Sequence, residues 1–100
     1  MPITEKPWFL YIIECRQGQL YTGITTDIER RFKEHQLSGP KAAKFLRGKA
    51  PLRLVYREFV GNRSQALKRE IAVKKLNKQL KLALIQNNAN CHTLNTVDQT

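Results

Sequence analysis

The chain has 100 residues, 41% of them hydrophobic, which is enough for one compact domain with a modest core and too few for two separately folded ones. Eighteen lysines and arginines stand against eight acidic residues, and the resulting net charge of +10 makes an anionic polymer the expected partner. No apolar run nears the roughly 18 residues needed to span a bilayer and the N-terminus has no signal-peptide pattern, so no membrane association and a cytoplasmic location are expected.

The first element is an almost unbroken apolar run of strand formers from Trp8 to Cys15, which suits a strand buried on both faces. Tyr11 sits in its middle. Arg16, Gln17, Gly18 and Gln19 supply a polar turn, and Leu20 to Ile24 resumes an extended pattern, so the two segments read as a β-hairpin. Gly23 has no Cβ and lets backbone or ligand come close beside Tyr21. Thr26-Asp27-Ile28-Glu29 reads as a capping box, with the threonine and glutamate side chains each taking up a backbone N–H. A helix therefore starts near Asp27. Four residues separate Arg31 from His35, which stacks both on one helix face beside the packing stripe of Ile28 and Phe32.

The segment Gln36 to Pro51 holds two glycines, two prolines and the basic residues Lys41, Lys44, Arg47 and Lys49, with a short helix expected over Ala42 to Leu46. It reads either as a solvated connector or as a rim that contacts phosphates by charge without reading sequence. Phe45 is taken as an anchor to the core, with base stacking as the alternative. Leu52 to Phe59 is the third strand, with Tyr56 in the core. Asn62 caps the next helix, with Gln65 three residues on, and that helix runs to about Leu76. Projected around the axis, Ala66 and Val73 fall on one side of Glu70, and Leu67 and Ile71 on the other, which puts a carboxylate inside an apolar arc. Glu70 therefore reads either as a partner of Lys74 or as an acidic group at the rim of a pocket. Lys78 to Gln86 forms a last short helix, and residues 87–100 form a polar tail expected to be disordered, so the domain spans 1–86. Cys15 and Cys91 make no disulfide scaffold, and with only His35 and His92 there is no zinc-ligand cluster; Cys15 reads as core, and the adjacent Cys91 and His92 as incidental.

Several of these residues together resemble the GIY-YIG nuclease domain. Tyr11 within Phe9-Leu10-Tyr11 is followed ten residues on by Tyr21-Thr22-Gly23, ten beyond that by Arg31, and later by the helical Glu70. The words LYTGITTDIERRFKEH and RSQALKREIAVKKL are similar to the small single-domain bacterial, UPF0213-like members, and the similarity runs from about Trp8 to Ile85. The first triplet lacks the signature glycine, which is read as subfamily variation. Ile24 stands where many members carry a basic residue, and Asn77 lies in the region of a late asparagine seen in some relatives. The implied fold is α+β, a small three-stranded mixed or antiparallel sheet flanked by helices.

The resemblance implies phosphodiester hydrolysis with a catalytic set of Tyr11, Tyr21, Arg31, His35 and Glu70. Such a reaction must deprotonate water, offset charge on the nonbridging oxygens and aid the departing oxygen. Glu70 would hold Mg²⁺ or Mn²⁺, since one carboxylate plus phosphate oxygens and waters is a normal Mg²⁺ site. Arg31 is the phosphate clamp, Tyr21 orients or deprotonates the attacking water, Tyr11 assists, and His35 shuttles a proton or binds phosphate. The expected substrate is DNA selected by shape or single-strandedness, with branched or damaged forms in repair or recombination in view. No protein partner is expected. The principal alternative is a noncatalytic DNA- or RNA-binding module on the same fold, and a third is a basic scaffold on an acidic protein.

Overall fold

The computed structural model describes residues 6–37 and 39–87. Strand β1 (Trp8–Glu14) lies between β2 (Leu20–Thr25) and β3 (Arg53–Gly61), and both pairings are antiparallel. The tight turn of the β1–β2 hairpin works because Gly18 takes φ +88°, a conformation a side chain disfavours. The helices are α1 (Ile28–Leu37), α2 (Arg63–Lys74) and α3 over 78–87. The fold is therefore the α+β arrangement expected, with the sheet wholly antiparallel.

Strand β1 is apolar throughout because it is covered on both sides. Tyr11 and Ile13 join Cys15, Ile28, Leu46 and Leu52 in one cluster, while Leu10 and Ile12 join Tyr56 and Val73 in another. Alternation along the strand assigns the first cluster to the α1 side and the second to the α2 side. Leu84 and Ile85 of α3 close the second cluster.

Three local expectations are corrected. Thr26 and Glu29 do not cap α1. Strand β2 runs on through Thr25, whose hydroxyl accepts from the Asp27 N–H at 3.1 Å, and Asp27 in turn accepts from the Arg30 N–H at 3.1 Å. Aspartate at that position is the natural cap. The capping box expected at α2 does form: the Asn62 side chain accepts from the Gln65 N–H at 2.8 Å, and the Gln65 side chain accepts from the Asn62 N–H at 2.9 Å. The buried arc of α2, however, centres on Ala66 and Val73 with Arg69 and Glu70 on its flanks, and Ile71 is 55% exposed. Arg69 donates to Glu58 at 2.7 and 3.0 Å, and Glu58 also accepts from the Tyr56 hydroxyl. That network holds the Arg69 side of the helix inward and leaves Leu67 and Ile71 outside. The third correction concerns Phe45, which is 43% exposed, whereas its neighbour Leu46 is fully buried and is the true anchor. Lys44–Leu46 form a 3₁₀ turn that separates the two side chains in this way.

The expected tail, with Cys91 and His92, lies outside the described residues. No described helix is long and apolar enough to cross a membrane. Because Leu46 ties the basic loop into the Tyr11 cluster, Leu46→Ala is expected to lower the unfolding free energy by about 2–5 kcal/mol. A urea titration reads this directly, and a loss under about 1 kcal/mol contradicts the anchoring role.

Candidate active site

Tyr11 points into the α1 side of the sheet, where it meets His35 from the last turn of α1. Its hydroxyl lies 2.9 Å from His35 Nε2. The imidazole is wholly buried, and its other nitrogen, Nδ1, accepts from the backbone N–H of Ala43 at 3.3 Å. Burial, reinforced by the Arg31 charge, pushes the imidazole down to about pKa 4 against a smaller opposing pull from Glu34. The ring is therefore neutral at pH 7, and a neutral ring that accepts at Nδ1 carries its proton on Nε2. It follows that His35 donates to the Tyr11 oxygen, and the Tyr11 proton is left free for another acceptor.

The approach of Tyr11 depends on Gly23 across the ladder. A Cβ there would stand 2.5 Å from the Tyr11 hydroxyl oxygen and 2.6 Å from the ring carbon that bears it, so the absence of a side chain is what admits the phenol. Burial first, and then Tyr21, push the Tyr11 phenol well above its ordinary value; Arg31 opposes the rise and Glu70 adds to it. Tyr11 is thus a fixed neutral donor and a poor base. Tyr21 is half-buried beside it: the Tyr11 and Tyr21 rings are 6.3 Å apart, and Tyr21 meets His35 edge-on at 5.6 Å.

Arg31 lies one helical turn before His35. Its Nη1 donates to Glu34 at 2.9 Å and to the Lys41 carbonyl at 2.7 Å. The guanidinium also reaches the Tyr11 hydroxyl, and its remaining N–H groups are the donors left for a phosphate. The structure therefore gathers Tyr11, Tyr21, Arg31 and His35. Glu70 comes from the helix on the opposite side of the sheet, close enough to act on Tyr11 through its charge, and Lys74 Nζ lies 3.2 Å from its carboxylate. The ion pair and the position at the edge of the buried arc hold together.

No group of three His, Cys, Asp or Glu side chains poised for a metal occurs among the described residues. The donor set is Glu70 alone. It does not fit a closed protein cage, and it fits a cation that takes its remaining ligands from substrate phosphate and water. Lys41, Lys44 and Arg47 are exposed and Lys49 is half-buried, all on the loop that His35 and Arg31 hold. Lys41 enters the site through its carbonyl rather than its ammonium group.

Sequence reasoning missed two contacts. Phe45 stacks on Tyr21, with centroids 6.0 Å apart and planes at 22°, and Lys49 Nζ sits 4.5 Å from the Phe45 centroid. The only signal for this was an aromatic residue among basic ones. Nothing in the residue pattern marked the Ala43 N–H as the partner of His35.

The fold and this residue set define a GIY-YIG catalytic domain, whose family match covers residues 7–83, and the chain belongs to that nuclease family. Within it, the chain is similar to the UPF0213 proteins. It is 49% identical over 86 residues to UPF0213 protein DP2720 of Desulfotalea psychrophila, covering 85% of this chain and 77% of that one. Similarity to UPF0213 protein YhbQ of Escherichia coli strain K12 is 54% over 83 residues, with 83% and 81% covered. Among solved structures, the solution NMR structure of EF2693 from E. faecalis superposes with a TM-score of 0.57 at 36% identity, over 85% of this chain and 90% of that one. That of UPF0213 protein BH0048 from Bacillus halodurans gives 0.51 at 39% identity, over 80% and 83%.

The buried imidazole sets a pH dependence. Its folded value lies below the ordinary 6.5, so the unfolded chain binds more protons between about pH 6.5 and 4, and stability falls as pH drops through that window. Chemical unfolding is expected to lose about 2 kcal/mol between pH 7 and pH 5 through this group, and His35→Gln to flatten that difference. An equally steep loss in the variant contradicts a neutral buried His35.

Proposed function

We propose that the protein is a cytoplasmic, divalent-metal-dependent DNA endonuclease. The observation that carries this reading is the convergence of two tyrosines of unlike burial, one always-charged arginine and a neutral histidine on one face. Tyr21, the more open phenol, orients the attacking water or, as phenolate, takes its proton. Arg31 places its free guanidinium donors on the nonbridging oxygens, where charge grows in the transition state. Tyr11 donates its free proton in a hydrogen bond to a phosphate oxygen, and His35 keeps the Tyr11 oxygen in place without itself reaching substrate. Glu70 would hold Mg²⁺ or Mn²⁺, with the remaining ligands supplied by substrate phosphate and water. When bound, the cation offsets charge on the phosphate and on the departing oxygen.

Lys41, Lys44, Arg47 and Lys49 contact the backbone of the strand. Phosphate contacts position DNA without selecting sequence, which supports a substrate chosen by its structure, branched, damaged or single-stranded, and a role in repair or recombination. One observation favours the alternative of a noncatalytic nucleic-acid-binding module: Lys74 already neutralises Glu70 at 3.2 Å. A cation at Glu70 would have to replace that ammonium group, which is itself half exposed.

Cleavage of end-labelled single-stranded, duplex and branched DNA with Mg²⁺ or Mn²⁺ tests the reading. Tyr21→Phe and Glu70→Ala, each still folded, are expected to slow cutting about a hundredfold or more. Binding without cutting on every substrate selects the module instead, and cutting that survives both substitutions removes these residues from the reaction.

A further inference from the structure

The tip of the β1–β2 hairpin carries a basic groove of which the proposed reaction uses only Lys49. It has a volume of about 180 Å³ and is lined by Arg16, Gln17, Gln19, Gly48 and Lys49. Its two walls are joined, because the Arg16 N–H donates to the Lys49 carbonyl at 3.1 Å. Lys78 at the start of α3 reaches the same turn, where its Nζ would lie 3.5 Å from a Cβ placed on Gly18. Arg53, Arg69 and Lys74 are paired with carboxylates, yet among the described residues Arg16, Lys49 and Lys78 have none within 4.0 Å. Cations gathered without counter-charge favour an anion between them.

Two further features narrow the ligand. The Gln19 side-chain oxygen is buried and has no hydrogen-bond partner, although buried polar atoms seldom go unpaired. It calls for a donor, which the N–H groups of a base supply and a fully ionised phosphate does not. From Lys49 the surface then leads to Phe45, and from Phe45 to Tyr21. Phe45 is 43% exposed, and a base stacks on it in place of the Lys49 ammonium group, which turns to the phosphate.

We propose that Phe45, Lys49, Arg16 and Gln19 form a nucleotide subsite beside Tyr21, in which an unpaired DNA base stacks on Phe45. A flanking phosphate enters the groove between Arg16 and Lys49, and Gln19 accepts from a base N–H. The placement beside a scissile phosphate rests on the endonuclease reading, whereas binding at the subsite does not require cleavage.

The test is binding of a short single-stranded oligodeoxynucleotide carrying one 2-aminopurine, followed by anisotropy and fluorescence quenching in EDTA over a range of salt. Phe45→Leu is expected to abolish most of the quenching and weaken binding about tenfold, with the salt dependence kept. The double variant Arg16→Gln, Lys49→Gln is expected to keep most of the quenching and lower the slope of log affinity against log salt by about 1.4, roughly 0.7 for each lost contact with a single strand. Lys68→Gln removes one charge from exposed α2 surface outside the groove and is expected to change quenching and affinity less than about twofold. Phe45→Leu that quenches and binds like the wild type overturns the proposal, as does an unchanged salt slope in the double variant. Loss confined to the double variant, without any effect of Phe45→Leu, marks a bare anion site and also overturns it. So does a wild type that binds no oligonucleotide at low salt. A wild type that binds in the expected pattern but cuts no DNA leaves the subsite standing and removes the endonuclease reading; Tyr21-dependent cutting with both variants unaffected does the reverse. Circular dichroism and a thermal melt check that each variant folds.

Discussion

The arrangement depends on one buried polar ring. His35 is a histidine with no exposed surface, and it is sustained because each of its nitrogens has a partner: the Tyr11 hydroxyl on one side, the Ala43 N–H on the other. Leaving either nitrogen unpaired in that setting costs about 1–3 kcal/mol, more than a typical surface contact contributes. The ring therefore fastens three separate pieces of chain, the central strand, α1 and the loop after α1. Arg31 fastens the same loop again through the Lys41 carbonyl. The basic loop that carries Lys41, Lys44, Arg47 and Lys49 is tied to the same two helix positions that face the tyrosines. A shift at either place is felt at the other.

The same economy separates the two tyrosines. Tyr11 is enclosed, lies against Gly23, and is held neutral by burial, so its use is as a donor of fixed direction. Tyr21 is half-buried, in ring contact with both His35 and Phe45. The opposite side of the sheet has its own polar anchor, in which burial raises the Glu58 carboxyl less than Arg69 and Tyr56 lower it. That anchor fixes the rotation of α2 and thereby sets Glu70 at the edge of the core. A carboxylate deeper in the arc would carry a desolvation penalty.

Much of this was legible in the residue order. The apolar run of β1, the turn at Gly18 and the Asn62–Gln65 box each follow a local rule, so the sheet and helices could be read from them, while Tyr11, Tyr21 and Arg31 stood out through the family resemblance. What could not be read depended on contacts distant in sequence. The amphipathic projection placed Leu67 and Ile71 inside because periodicity treats both flanks of Glu70 alike, whereas the Arg69–Glu58 pair decides between them. Phe45 and Leu46 are adjacent apolar residues with opposite fates, set by the 3₁₀ turn and by Tyr21. His35 reads in the sequence as a proton shuttle or phosphate ligand because nothing there marks the Ala43 N–H that pairs with its buried ring. The capping box expected at Thr26 failed by a shorter-range competition, since Asp27 lay one residue nearer the helix.

The central claim is the protonation and hydrogen bonding of His35, and side-chain ¹⁵N NMR measures it directly. The account predicts a neutral ring at pH 7 with its proton on Nε2, an acceptor-type shift at Nδ1, and no titration until the pH falls well below 6. A proton on Nδ1, or an imidazole that titrates near 6.5, would contradict it, since His35 would then neither donate to Tyr11 nor hold the basic loop through Ala43.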